Sequence, residues 1–205
     1  QNNVQGSCDM GALPNVYTNY QSVSDPDRRA EVSAIWGVDV PDTPGMTYPV
    51  MLEKVFEGKM RSLYMIGSDI AHTDPDNQRV QEALSKLDLL IVQDIFMCES
   101  AKYAHVVLPA ASFLESDGTY TNGERRVQRV RKAIPPPGDA KEDWRIVSEL
   151  AEALGHPITT SDSVSDIWDE IASLTPNFTG ISYDTLEDVE AIQWPAPEKG
   201  HPGTT

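Results

Sequence analysis

Residues 62–112 read SLYMIGSDIAHTDPDNQRVQEALSKLDLLIVQDIFMCESAKYAHVVLPAAS, and the fold is decided inside this stretch. Leu63-Tyr64-Met65-Ile66 is a short apolar run that stops at Gly67. Leu89-Leu90-Ile91-Val92 is a second, ended by Gln93-Asp94, and Val106-Val107-Leu108 is a third, stopped by Pro109. Continuous apolar runs of this length fit strands buried on both faces. Between the first two, Asp74-Pro75 opens a helical pattern carrying Val80, Ala83, Leu84 and Leu87. A shorter helical segment, around Glu99 to Ala104, separates the second run from the third. Strands alternating with helices predict parallel pairing through right-handed crossovers. The expected fold is α/β: a three-layer αβα sandwich around a mainly parallel, Rossmann-like sheet.

Working outward, residues 1–22 are rich in Asn, Gln and Gly without a period and read as a loop needing outside support. Asp25-Pro26 starts a helix with Val32, Ile35 and Trp36 on one face, stopped by Gly37. A second helix carries Met51, Leu52, Val55 and Phe56 and closes at Gly58. After the third run, residues 119–130 look extended, turning at Asn122-Gly123. Helices follow at Trp144 to Leu154 and, with Ser163 and Asp166 as a capping box, at Ile167 to Leu174. The Pro- and Gly-rich residues 195–205 read as a linker. This divides the chain into an N-terminal loop and helices (1–60), an α/β dinucleotide-binding core (61–155) and a C-terminal helical segment with linker (156–205).

Composition narrows the function. The chain of 205 residues has a net charge of −16, which disfavours a sequence-independent grip on nucleic acid, because that grip needs Lys and Arg to displace phosphate counterions. No run approaches the length of a membrane span. Cys8 and Cys98 lack metal-type spacing, and the four histidines are scattered, so no zinc site is expected. A reduced, cytoplasmic setting is the default expectation, with periplasmic export of a parent enzyme left open. The chain opens on Gln1 rather than Met and reads at once as dense, specific sequence, which suggests an internal fragment. Arg125, Arg126, Arg129, Arg131 and Lys132 form a basic cluster, read as a solvated strand edge or subunit contact.

In open parallel sheets, ligands bind beyond the carboxyl ends of the strands. Those ends are Gly67-Ser68-Asp69, Gln93-Asp94 and Pro109-Ala110-Ala111-Ser112. Gly67 would let a backbone approach a diphosphate, although a Gly after a strand is also an ordinary turn. Only one glycine of the G-x-G-x-x-G pattern is present. Asp94 and Asp143 can each be helix caps, or contacts to a ribose and a nucleobase respectively.

Whole strings say more. Gln1-Asn2-Asn3-Val4-Gln5-Gly6, Cys8-Asp9-Met10-Gly11 and Leu13-Pro14 resemble a signature of formate dehydrogenase catalytic subunits in the molybdopterin oxidoreductase family. Tyr64-Met65-Ile66-Gly67 with Asp69, Val92-Gln93-Asp94-Ile95-Phe96, Val107-Leu108-Pro109-Ala110, Asp117-Gly118-Thr119, Glu124-Arg125-Arg126-Val127-Gln128 and Asp143-Trp144 agree with it in order. The resemblance implies a parent enzyme that oxidises formate to CO2 with Mo or W on a bis-molybdopterin guanine dinucleotide; the alternatives are the same domain of another molybdopterin oxidoreductase and a stand-alone, non-catalytic nucleotide-binding module. It also implies a 4Fe-4S cluster held by sequence preceding Gln1, with partners among the remaining domains of the same subunit and electron-transfer subunits. By position, Gly67, Asp69 and Thr73 would line the diphosphate and ribose side, and Gln93 and Asp94 would meet the ribose and adjoining phosphate. Ala110 would sit at the guanine pocket, Asp143 would accept from guanine N–H groups, and Gln1 would lie near the pterin. Ala110 stands where some relatives have Ser, and His105 where an Asp is common. No catalytic or metal-ligating residue is expected here, so the fragment alone is expected to be inactive.

Overall fold

The structure is a computed structural model that describes residues 3–158 and 163–204. The chain forms two compact units, each assembled from separated segments: Gln1–Gly45, Asp117–Arg131 and Thr160–Thr205 in the first, Met46–Ser116 and Lys132–Thr159 in the second.

In the first unit, α1 (Val4–Asp9) and α2 (Pro26–Trp36) are followed, after the second unit's first segment, by the hairpin β4 (Gly118–Thr121) and β5 (Arg126–Val130). The helices α7 (Val164–Ser173) and α8 (Tyr183–Val189) and the strand β6 (Ala191–Gln193) complete it. The sheet is antiparallel in the order β4-β5-β6. Its core is Val127, Phe178, Leu186, Ile181 and Trp168, with Trp168 stacked on Phe178 at 5.6 Å and its indole N–H donating to Ile181 O at 2.7 Å. Asp25 caps α2 as expected, accepting from Asp27 N and Arg28 N, and Gly37 ends it at φ 67°. The hairpin turn spans 122–125. The Asn122 carboxamide oxygen accepts from Glu124 N and Arg126 N, and the left-handed residue is Arg125 rather than Gly123.

Three features of this unit differ from the reading of the sequence. Residues 4–9 are helical because Asp9, fully buried, accepts from Gln5 and from the Trp194 indole at 2.7 Å each, bonds that a local reading cannot supply. The segment expected to be a linker is anchored at its start: Ala196 is buried, its N–H donates to Asn177 O and its carbonyl accepts from Gly180 N. The basic cluster is largely consumed by ion pairs, with Arg129 and Arg131 on Glu187 and Arg129 also on Asp117 at 2.6 Å.

The second unit carries the α/β core: α3 (Tyr48–Phe56), β1 (Ser62–Ile66), α4 (Ile70–Thr73), α5 (Asn77–Ser85), β2 (Leu89–Asp94), β3 (Val106–Pro109) and α6 (Asp143–Ala153). The three strands form one parallel sheet in the order β1-β2-β3. Side chains alternate across its faces. Met65, Leu90, Val92 and Val107 point to one face and pack with Val55, Val80, Ala83 and Leu84 from α3 and α5. Full burial of a residue such as Leu84 or Leu90 stabilises the fold by about 1.5–3 kcal/mol. Gln93 points to the other face, where it is bonded to the start of α6. Helices on both faces of a parallel sheet make the α/β architecture. The helix expected from Asp74-Pro75 begins two residues later, because Asp74 instead accepts from Asp76 N and Asp76 caps α5 through Arg79 N. Cys98 packs against this core as a small apolar group, and both cysteines are free thiols.

Candidate functional site at the strand tips

Register places the sequence-expected residues of the second unit in one row. Ile66 pairs with Gln93, and Asp94 pairs with Pro109. The ladder continues one step past the strands, with Gly67 N donating to Gln93 O at 2.9 Å and Ala110 N donating to Asp94 O at 3.1 Å. Gly67, Asp94 and Ala110 therefore sit side by side at the carboxyl ends of three adjacent parallel strands, where ligands of open α/β sheets bind. Beyond β3 the chain returns at Lys141. It accepts from Ala111 N at 2.8 Å and donates to Pro109 O at 3.2 Å, forming a parallel bridge between Ala110 and Lys141. That bridge carries the first residue of α6, Asp143, to the strand tips.

Gly67 adopts φ 58°, a conformation that costs a side-chain-bearing residue about 1–2 kcal/mol. An added Cβ would meet nothing within 4 Å, so the space above this turn is open. Asp69, next along, is bound inward: its carboxylate accepts from Ser100 N at 2.8 Å, the Ser100 hydroxyl at 2.7 Å and Glu99 N at 3.2 Å. Desolvation works against ionisation of Asp69, but these donors outweigh it and hold the carboxyl below its usual range. The Thr73 hydroxyl donates to Asp69 O at 2.9 Å. Asp69 and Thr73 thus shape the loop that follows Gly67.

Gln93 is almost fully buried, at 1% exposure, and its amide is held at both ends. The Tyr64 hydroxyl donates to Gln93 Oε1, and Gln93 Nε2 donates to Asp143 Oδ1 at 2.6 Å. Asp143 is the first residue of α6 rather than its cap, a place taken by Glu142. Burial of the carboxyl raises its pKa, partly offset by the Gln93 bond. The residue as a whole is exposed, and Oδ1 is the oxygen turned to Gln93. Tyr64 is likewise raised, by burial and then by the Asp143 charge. Asp94 Oδ1 accepts from Phe96 N at 3.0 Å, an Asx turn that closes the strand.

The structure therefore brings Gly67, Asp69, Thr73, Gln93, Asp94, Ala110 and Asp143 into one unit, while Gln1 lies outside the described residues. Tyr64 and Ser100 were missed by sequence reasoning. Tyr64 reads as one more apolar strand residue, and Ser100 lies in a short polar stretch with no motif, so neither carries a local signal. Among the described residues, no group of three or more His, Cys, Asp or Glu side chains is placed to hold a metal, and no helix is long and apolar enough to cross a membrane.

An open glycine turn lies at one strand tip. A carboxylate, with one oxygen held by a buried amide, can accept parallel N–H donors such as those on a guanine edge. These residues fit a guanine dinucleotide on chemical grounds.

Comparisons with known proteins agree with this fold. The chain is 48% identical over 206 residues to the F420-dependent formate dehydrogenase subunit alpha of Methanocaldococcus jannaschii, covering all of this chain and 30% of that protein. It is 47% identical over 193 residues to the putative formate dehydrogenase YrhE of Bacillus subtilis, covering 94% of this chain and 20% of that one. The chain thus spans only 20–30% of the length of these curated relatives. Among solved structures, acetylene hydratase from Pelobacter acetylenicus shares the fold at a TM-score of 0.61 and 18% identity, over 82% of this chain and 24% of that one. The family model for molybdopterin oxidoreductase matches residues 1–153, and the chain belongs to that family.

Proposed function

We propose that this chain is the domain of a formate dehydrogenase catalytic subunit that grips one guanine dinucleotide arm of the molybdopterin cofactor. The observation that carries the reading is the single row of Gly67, Asp94 and Ala110 at the strand tips, with Asp143 brought to it by the Lys141 bridge. The similarity to formate dehydrogenase alpha subunits over the whole chain supports the choice of reaction.

In this role the open turn at Gly67 admits the diphosphate to backbone N–H groups, which suits a chain whose net charge of −16 repels free anions. Asp69 and Thr73 hold that turn in shape. Gln93 positions Asp143 by fixing one carboxylate oxygen. Asp143 accepts from the guanine ring N–H and amino group, and Asp94 meets the ribose hydroxyls. Ala110 contributes an apolar wall to the base pocket. The bound cofactor, with Mo or W, supplies the two-electron chemistry that converts formate to CO2. This chain contributes binding and orientation, and has no activity by itself.

Asp143→Ala in the full-length enzyme tests the assignment. Guanine nucleotide released on denaturation, and Mo or W content, should both fall at least several-fold per subunit. Unchanged guanine and metal content would reject the role of Asp143.

A further inference from the structure

We propose that the second unit holds another binding site, an apolar cavity behind the sheet that takes a small uncharged molecule of about benzene size. The cavity measures about 170 Å³ and is bounded by α3, β1 and α5. Its walls include Met51, Met60, Met65 and Leu84, and its polar groups come only from Tyr48 and Ser68. Gly67, Gln93, Asp94 and Asp143 do not line it, so the inference stands independently of the dinucleotide reading.

Three properties fix the class of ligand. An apolar cavity of about 150 Å³ stays dry and accepts benzene or xenon, whereas a trapped water needs two to four polar partners. Here the Tyr48 hydroxyl donates to Asp74 Oδ2 at 2.8 Å, and Ser68 is the other polar side chain in the lining. No charged side chain lines the space, so an ionic guest would be desolvated without a partner. Three of the wall residues are methionines, whose flexible thioethers adapt to guests of different outline. Burial, and then the Asp74 carboxylate, raises the pKa of Tyr48, so the rim carries no phenolate at neutral pH.

Ser68 and Ile70 line the cavity and flank Asp69 in the loop that begins at Gly67. An occupant would therefore touch the same loop from behind that the strand-tip site meets in front.

The six methionines give a direct test. Methyl-13C-methionine NMR spectra of the 205-residue chain are recorded during titration with benzene and, separately, with benzoate. The Met51, Met60 and Met65 signals should shift and saturate together with benzene and stay in place with benzoate. Met10, packed in the other unit, and Met97, 77% exposed, should not move with either. Ala83→Leu, which places extra carbons into the cavity wall, should weaken benzene binding at least tenfold. Absence of saturation at the three wall methionines, or equal shifts with benzoate, overturns the proposal. Both outcomes are read on the unsubstituted protein, so they decide it even where Ala83→Leu does not fold.

Discussion

Tyr64→Phe removes one oxygen atom and tests the whole relay at the strand tips. The tyrosine hydroxyl is the donor to Gln93 Oε1, and Gln93 is 1% exposed. With Gln93 almost fully buried, the carbonyl of the amide loses its donor. Such a group costs about 1–3 kcal/mol. For a chain of about 200 residues this corresponds to a fall of roughly 2–12 °C in Tm, at about 2–4 °C per kcal/mol. Equilibrium urea denaturation followed by circular dichroism measures it, with a double-mutant cycle against Gln93→Leu. Because the two side chains share one hydrogen bond, the double variant should lose less than the sum of the singles, by on the order of 1 kcal/mol. A single-variant loss below about 0.5 kcal/mol, the usual range for surface changes, together with an additive cycle would refute the reasoning.

Asp143→Asn should keep the bond from Gln93 while removing the charge. The Asp143 pKa is raised in the folded state, so the native protein holds the proton more tightly than the unfolded chain. Wild-type stability therefore falls as pH rises from the unfolded value, about 3.9, through the folded one, and is level above it. Relative to wild type, the Asn variant should gain stability across that window and match it below, as read by urea titrations at several pH values. Ser100→Ala strips one donor from Asp69 and the acceptor of the buried Ala71 N–H, with an expected loss of about 1–3 kcal/mol at pH 7. The Asp69 pKa is lowered on folding, so its contribution is present above the unfolded pKa and disappears as pH falls through the folded one. The Ser100→Ala deficit should accordingly shrink in acid, and an equal deficit at both pH extremes would remove Asp69 from the account. Gly67→Ala meets no atoms, so calorimetry should show only the backbone cost of about 1–2 kcal/mol; a larger loss would mean that the turn is more enclosed than it is here.

The α/β core was legible because its strands are runs of apolar residues long enough to be buried on both faces and short enough not to be helices. The glycines at 37 and 58 marked helix ends for a local reason, a positive φ, and they end them. Of the strand-tip residues, position at a strand end was enough to single out Gly67, Gln93, Asp94 and Ala110. What they do was not legible. Asp143 read as a cap from spacing, yet its partner is Gln93, fifty positions away. Asp69 read as a ligand-side residue, yet its carboxylate is turned inward by Ser100. The same limit hid α1 and the anchoring of Ala196, both of which rest on contacts with distant segments of the first unit.

The strand β5 pairs on one side with its hairpin partner and on the other with β6, where Val127 faces Ile192. Residues 191–193 leave the ribosome on the order of seconds after β5, at synthesis rates of about 5–20 residues per second. During that interval the hairpin presents an open edge carrying Val127, a vulnerable template for pairing with neighbouring nascent chains. Asp117 and Glu124 precede β5 in the chain, so Arg129 and Arg126 have ion-pair partners during that interval, while Arg131 gains its partner only when Glu187 has been made.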